Sequence, residues 1–388
     1  MMGFLKGTSS RLLTAAVFLL LISVILYSVW SDFNKPADPI KIGLSNTLTG
    51  PASTSGIHSR NAVILAVDQI NKSGGIKGRP LELIIKDDKG QADEAVRVDR
   101  ELINEGVIGI IGHYLSTLSV KAAGIVSESR VPMISTGATT PELGRLDDFF
   151  LRLMVPDNLR TQFFADLVYE RLKIKTMAII TDLSNPNYTI PFSRHFRKNF
   201  TELGGSISSA VRFNSLEKYS ASEIANQVTA SNSDGVLLVT NAINGALLSQ
   251  RLRIIDPEIK LIVSPWALPE VDFIKNGGQA IEGAISLVEL DLESSNSKFR
   301  TFRAQYQTRY NEELSLNGYV AYEAAQIFFE ALAKTENPAD LKKNILEQGN
   351  FEGLIDQITL DSFGDPIRPL YIVEVQNSLI RTIGKMER

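Results

Sequence analysis

The sequence predicts an α/β protein of two lobes, each a parallel sheet with helices on both faces, preceded by one N-terminal transmembrane helix. Three observations carry this. From residue 40 onward, strand-like apolar runs alternate with amphipathic helical stretches, one unit about every 25–35 residues. After residues 149–158 the alternation restarts for four further units. Ahead of both, residues 12–29 form an uncharged apolar run. Such alternation implies parallel strands, because a parallel pair needs a crossover that a helix supplies.

The run "LLTAAVFLLLISVILYSV" (12–29) holds eighteen residues without a charge, after Lys6 and Arg11 and before Trp30. As a helix it rises about 27 Å, enough to cross a bilayer core. It is apolar on every face, unlike a helix on a protein core. The basic flank, residues 1–11, should stay cytoplasmic and everything after residue 35 should lie outside. Residues 12–30 are therefore read as an anchor. A cleaved signal is the alternative, although its apolar core is usually shorter and no small-x-small site follows Tyr27. Residues 31–39, with Pro36 and Pro39, are a linker.

The elements then follow in order. Residues 40–46 are a strand, 59–75 an amphipathic helix stopped by glycine, 81–88 a strand and 92–106 a helix. "GVIGIIG" (106–112) reads as a strand, 117–130 as a helix and "VPMIS" (131–135) as a strand. In the second series the strands are 176–182, 207–213, 234–241 and 260–267, with helices near 159–172, 190–203, 220–231 and 243–255. The last hundred residues differ. They hold helices over "NSKFRTFRAQYQTRYN" and "GYVAYEAAQIFFEALAKT", a third near 338–347, then strand-like "DQITLD" and "LYIVEVQ". This tail is expected to complete the two lobes: 40–156 with 289–355 as lobe I, and 157–288 with 356–388 as lobe II.

Composition excludes several functions. A net charge of −4 gives no footing for nucleic acid, and the absence of cysteine excludes disulfides, thiolate metal sites and a cysteine nucleophile. Gly106, Gly109 and Gly112 lie within an apolar strand, so they are not a dinucleotide fingerprint, and no Walker lysine motif occurs. "NKSGGIKGRP" (71–80) follows a helix and precedes a strand, the wrong order for a phosphate loop. His58, His113 and His195 lack ligand partners at helical spacing. Asp87-Asp88 either binds a metal or substrate or caps a turn. No G-x-S-x-G elbow or other catalytic constellation is present, so neither an enzyme nor a cofactor is expected.

One pattern occurs twice. "GVIGIIGHYLSTLSVKAAGIV" (106–126) and "VPMISTGATTPELG" (131–144) each end an apolar run in hydroxyl and small residues at a helix start. In open parallel sheets ligands sit beyond the carboxyl ends of strands, where helix N-termini present free N–H groups and partial positive charge. Ser116-Thr117 and Thr139-Thr140-Pro141 are thus expected as two adjacent helix starts that receive an anion, most simply a carboxylate. Gly137 and Ala138 would let it approach the backbone. The alternative is that these hydroxyls only cap helices.

These segments resemble the periplasmic binding proteins of the leucine/isoleucine/valine type. "IKIGLSNTLTGPASTSG" is similar to that family's first strand and S-G-P loop, with Thr49 in place of serine. "DQINKSGGIKGRPLELIIKDDKGQADEAV" resembles its second unit, "GIIGHYLSTLSVKAAGIVSESRVPMISTGATTPEL" the segment that holds the ligand's α-carboxylate, and "FEGLIDQITLDSFGD" its closing stretch. The resemblance covers about 40–388 and implies two Rossmann-like lobes, three crossovers and a hinged cleft.

Carried over by position, the resemblance makes Ser116 the carboxylate-binding hydroxyl, with Thr117 beside it, Gly137 a backbone contact and Thr139 a partner of the ligand's head group. Tyr188 matches a second-lobe tyrosine, and Asn241 a position that is often aromatic. Trp266 stands where the branched-chain binders place the glutamate that pairs with the ligand's ammonium. Ser55 stands at a first-lobe lip that is often aromatic. The carboxylate half is kept and the ammonium half altered. The expected ligand is a carboxylate without the usual amino group, or an amino acid if Asp182 or Glu270 supplies the charge. The resemblance implies an extracytoplasmic, membrane-anchored solute-binding protein that delivers a small carboxylate or amino acid to an ABC permease. The alternatives are a sensing subunit for a membrane signalling protein and, third, an extracytoplasmic enzyme.

Overall fold

The structure, a computed structural model, describes residues 38–335 and 337–386, together with 16–18 and 20–23. The transmembrane helix expected at 12–30 and the segments 1–11 and 31–37 lie largely outside the described residues. Of that run, 16–18 and 20–23 are helical. Among the described residues no helix is long and apolar enough to cross a membrane.

The first sheet contains β1 (Ile40–Asn46), β2 (Leu81–Asp87), β3 (Ile110–Ile111), β4 (Met133–Ser135) and β5 (Phe150–Arg152). All are parallel, in the order β2-β1-β3-β4-β5. Helices α1 (Ser53–Lys72), α2 (Ala92–Asn104) and α3 (Ser116–Ser129) connect them. β1 is buried along nearly its whole length, as a strand covered on both faces should be. The strand expected over 106–112 shrinks to two residues. The bare Cα of Gly109 lets the Phe328 ring pack where a Cβ would lie 2.8 Å from it. At Gly112, with φ +146°, a Cβ would collide with the Ser45 carbonyl. These glycines serve close packing.

After α4 (Asp157–Asp166), extended by a π turn over Leu167–Arg171, the second sheet begins. It holds β6 (Thr176–Asp182), β7 (Ser206–Phe213), β8 (Gly235–Val239), β9 (Lys260–Val263) and β10 (Ile285–Val288). Helices α5 (Pro186–Glu202), α6 (Ala221–Thr229), α7 (Ala242–Ile255) and α8 (Val271–Gly277) connect them. The chain then returns to the first lobe as α9 (Ser297–Tyr310), α10 (Leu316–Lys334) and α11 (Leu341–Gln348). α10 is apolar on most faces and is accordingly buried, packed along α1.

The tail corrects one boundary. β11 (Asn350–Glu352), β12 (Gln357–Leu360) and β13 (Pro366–Ile367) form one small antiparallel sheet. Asp365 beside it pairs with Arg152 of β5 at 2.7 Å. Residues 357–367 thus go with the first lobe, Asp356 ahead of them reaches Tyr371 and Lys385 of the second, and the chain crosses after Ile367. β14 (Leu370–Gln376) then pairs antiparallel with β10, and β15 (Leu379–Met386), which the sequence did not announce, pairs with β14. The second sheet runs β15-β14-β10-β9-β8-β6-β7.

The first two crossovers are tied together at their centre. Arg160 and Glu289 form a fully buried ion pair. Arg160 Nη1 also donates to the Leu287 carbonyl at 3.0 Å, and Glu289 Oε1 accepts from Val155 N at 2.9 Å. Beside them burial pushes the Asp157 carboxyl up to about 8, against the pull of Arg160.

Candidate functional site

Each sheet has a switch point at its strand ends. β1 lies between β2 and β3, and β6 between β7 and β8. The loops beyond those carboxyl ends meet across a cleft, the place where open α/β sheets bind ligands. There the cleft is shut on itself. The cavities it holds among the described residues include two of about 20 Å³ each, room for roughly one water molecule. Tyr114 and Trp266 line both. A groove of about 890 Å³ lies on the second lobe at the opposite ends of β9 and β10, near Lys260 and Ile285, away from the cleft.

The first cavity is lined by Gly137, Thr139, Tyr188 and Asn317 besides the two shared rings. Thr139 is 2% exposed, and its Oγ1 lies beside the buried Asp157 carboxyl without a well-formed hydrogen bond; the Tyr188 hydroxyl, also buried, lies beside Ser264 in the same way. Tyr188 stands edge-on to Trp266 with centroids 5.7 Å apart. Gly137 must be glycine here, since a Cβ would lie 2.3 Å from the Tyr114 carbonyl oxygen. The second cavity is lined by Ser55, Asn241, Glu270 and Asp272.

The strand-end hydroxyls do meet, because β3 and β4 are neighbours, but not as two helix caps. The N-cap of α3 is Leu115; Ser116 is already helical, and its Oγ accepts the Thr139 N–H at 3.2 Å. The expected second helix is one 3₁₀ turn, Pro141–Leu143, capped by Thr140. The paired helix starts expected from the sequence are therefore one helix start and one turn. Ser116 is buried outside the cavity lining. Thr117 is also outside it, and its hydroxyl and N–H both donate across the cleft to Asn185 Oδ1, at 2.9 and 3.2 Å. Asn241 caps α7 through Asn244 N at 3.0 Å while facing the second cavity.

Of the two acids considered as ammonium partners, Asp182 is spent on structure. Its Oδ1 accepts from Ser184 N and Ser215 N, and its Oδ2 from Thr240 Oγ1 and Asn241 Nδ2. Glu270 is different. It is 3% exposed, accepts from Ser55 Oγ at 2.6 Å and Asn317 Nδ2 at 3.0 Å, and lines the second cavity. Burial, reinforced by Asp272 and opposed by those two hydrogen bonds, pushes its carboxyl up to about 7.

Asp87 and Asp88 cap the turn after β2. Asp87 accepts from Leu48 N, Lys89 N and Thr49 Oγ1, and Asp88 from Thr47 Oγ1 and Gly90 N. Asp88 also belongs to a buried triad. His113 Nδ1 reaches Asp88 at 2.7 Å and Nε2 reaches Asp99 at 3.0 Å. Burial works against the imidazolium, but Asp99 and Asp88 outweigh it and raise the pKa to about 10. A protonated histidine donates at both nitrogens, so this is an ion-pair triad and not a ligand set. Among the described residues no cluster of acids and histidines could hold a metal ion.

Sequence reasoning missed Tyr114 and the lobe-bridging role of Ser55, Asn185 and Asn317. Tyr114 had a signal, an aromatic residue directly beyond a strand end. The bridges had none, since their partners lie far apart in the chain.

The family model described as periplasmic binding protein matches residues 39–379. The Leucine-, isoleucine-, valine-, threonine-, and alanine-binding protein of Pseudomonas aeruginosa is 34% identical over 154 residues, which are 39% of this chain and 41% of that relative. Among solved structures, the branched-chain amino acid transporter substrate binding protein LivJ from Streptococcus pneumoniae, in complex with isoleucine, superposes with a TM-score of 0.83 at 21% identity, over 90% of this chain and 100% of that one. A solute binding protein of an ABC transporter from R. palustris, in complex with benzoate, superposes with a TM-score of 0.80 at 16% identity, over 89% and 96%.

Proposed function

The chain belongs to the periplasmic binding protein family, and on that premise we propose that it closes two lobes on a small carboxylate and delivers it to an ABC permease. The observation that supports the ligand class is the pair of buried hydroxyls, Thr139 Oγ1 from the first lobe and Tyr188 from the second, that line one cavity and make no well-formed hydrogen bond, only neighbours in Asp157 and Ser264. Unpaired buried polar atoms cost free energy, and a ligand that accepts from both recovers it. The S. pneumoniae and R. palustris relatives hold isoleucine and benzoate, which share a carboxylate.

Trp266 supports a ligand without an α-ammonium. It lines the cavity, at the position to which the resemblance assigns the branched-chain binders' glutamate, and its ring can cover an apolar or aromatic body. The apolar run 12–29 supports a tether that keeps the lobes outside the membrane. That tether also suits a sensing subunit for a membrane signalling protein, the second reading. A melting-temperature screen of organic and amino acids against the full-length protein tests the ligand class. A carboxylate should raise the melting temperature, and a response confined to uncharged solutes would overturn the proposal. Uptake by membrane vesicles carrying a cognate permease separates delivery from sensing.

A further inference from the structure

The two cavities are unlike in charge. The first offers hydroxyl groups from Thr139 and Tyr188. The second carries Glu270 and Asp272 and no lysine, arginine or histidine. Glu270 is nearly fully buried, yet among the described residues it has no cationic partner, and the charged group acting on it is Asp272, of like sign. Lys275, three residues beyond Asp272, is exposed. A buried carboxyl in this setting either stays protonated or awaits a cation. Its position near neutrality, at about 7, fits that description.

A second observation lies at the border of the two cavities. Asn317 is 2% exposed and lines the first cavity; its Nδ2 donates to Glu270, while its Oδ1 makes no hydrogen bond. Glu270, Asp272 and Asn317 Oδ1 are acceptors, and the Trp266 ring beside them attracts cations on its face. The complement of such a set is a group that donates several hydrogen bonds and carries positive charge. Trp266 and Tyr114 wall both cavities, so one ligand lying along these rings can place an end in each.

We propose that Glu270, Asp272 and Asn317 form a cation pole, and that the ligand is a carboxylate carrying a protonated amine at its far end. This rests on the reading that the Thr139 end takes the carboxylate. An α-ammonium is only two bonds from its carboxylate carbon and would fall in the first cavity, which Glu270 and Asp272 do not line. A distal amine reaches past the rings to the acids.

Calorimetry on the full-length protein with matched pairs tests this: para-toluate against para-(aminomethyl)benzoate, and hexanoate against its ω-amino form, with leucine as the α-amino control. The amine-bearing member of a pair should bind at least tenfold tighter than its amine-free partner. Glu270→Gln should bring that ratio toward one. Asp272→Asn should reduce it as well, and it reads the same ratio if Glu270→Gln does not fold. Equal or weaker binding of the amine-bearing acids would overturn the cation pole and leave the carboxylate reading standing. So would leucine binding tighter than either ω-amino acid. If none of these acids binds, the cation pole falls, and the carboxylate reading is decided by the melting-temperature screen.

Discussion

Ser55 and Glu270 join the two lobes through a 2.6 Å hydrogen bond, donated by the first lobe and accepted by the second. On the other flank Thr117 and Asn185 make the same kind of bridge. The closed cleft is thus latched on both sides by side chains from the starts of first-lobe helices.

Closure should depend on pH through Glu270. In the shut cleft its pKa is about 7, whereas in open water a glutamate titrates near 4.3. A carboxyl whose pKa is raised by closure favours the closed form when protonated, so closing takes up a proton between those values. The ligand-free protein should therefore become more closed as pH falls from about 8 toward 5. Small-angle scattering reads this directly, and Glu270→Gln should reduce the change across that window, leaving only what Asp157, raised to about 8 beside the crossovers, contributes. A radius of gyration that grows on acidification would contradict it.

Thr139→Ala should weaken carboxylate binding without unfolding the protein. A hydrogen bond to a charged group contributes about 1.5–3 kcal/mol, roughly tenfold or more in affinity. Ser116→Ala should act less directly, by releasing the Thr139 N–H that it holds. Calorimetry with the best ligand checks both, and unchanged affinity in Thr139→Ala would misplace the carboxylate.

His113 should make stability fall with alkalinity. Its folded pKa of about 10 stands above the ordinary 6.5. Its contribution is complete below about 6.5 and is lost as pH rises through about 10. Melting temperature should decline steadily over that range. His113→Asn, which leaves Asp88 and Asp99 buried without their cation, should cost about 3–5 kcal/mol in urea unfolding at pH 7.

Arg160→Met should destabilise the protein by a similar amount, about 3–5 kcal/mol, because Glu289 would stay buried without its cation. Removing both charges in Arg160→Met/Glu289→Leu should recover much of the loss. Chemical denaturation of the two variants decides this, and a double variant worse than the single one would contradict it.

The N-terminal segment should hold the protein on the membrane. Membrane fractions should retain it after a high-salt wash, with protease reaching the lobes only from outside. A mature chain starting between residues 28 and 40 would exclude the anchor.

The alternation of strand and helix was legible because burial on both faces leaves continuous apolar runs, as in β6 and β8. Several elements resisted, with β5, β10, β11, β13, β15 and α8 unannounced and β3 shorter than expected. β3 shortened because Gly109 and Gly112 answer to Phe328 and Ser45, which are distant in sequence. β15 is an edge strand, half exposed, and has no apolar run to announce it. At the site, Gly137, Thr139, Tyr188, Asn241 and Trp266 were expected by position, and they line two cavities of the cleft, which leaves their contact with a ligand a proposal. Thr117 was read as a ligand contact and instead bridges to Asn185. Glu270 was one of two candidates, and only the spent oxygens of Asp182 separate them. Pairs such as Arg160 with Glu289 leave no trace in one sequence, because neither residue carries a local pattern.

Trp266 has a practical consequence. The chain has two tryptophans, and the other is Trp30, ahead of the lobes. Within the folded lobes a single indole therefore sits at the shared wall of both cavities, edge-on to Tyr188. Any ligand that parts these rings changes the polarity around that indole and its distance from two tyrosines. The protein carries its own fluorophore at the point of entry, so emission wavelength and tyrosine-to-tryptophan energy transfer can time the arrival of a solute in stopped flow without a label.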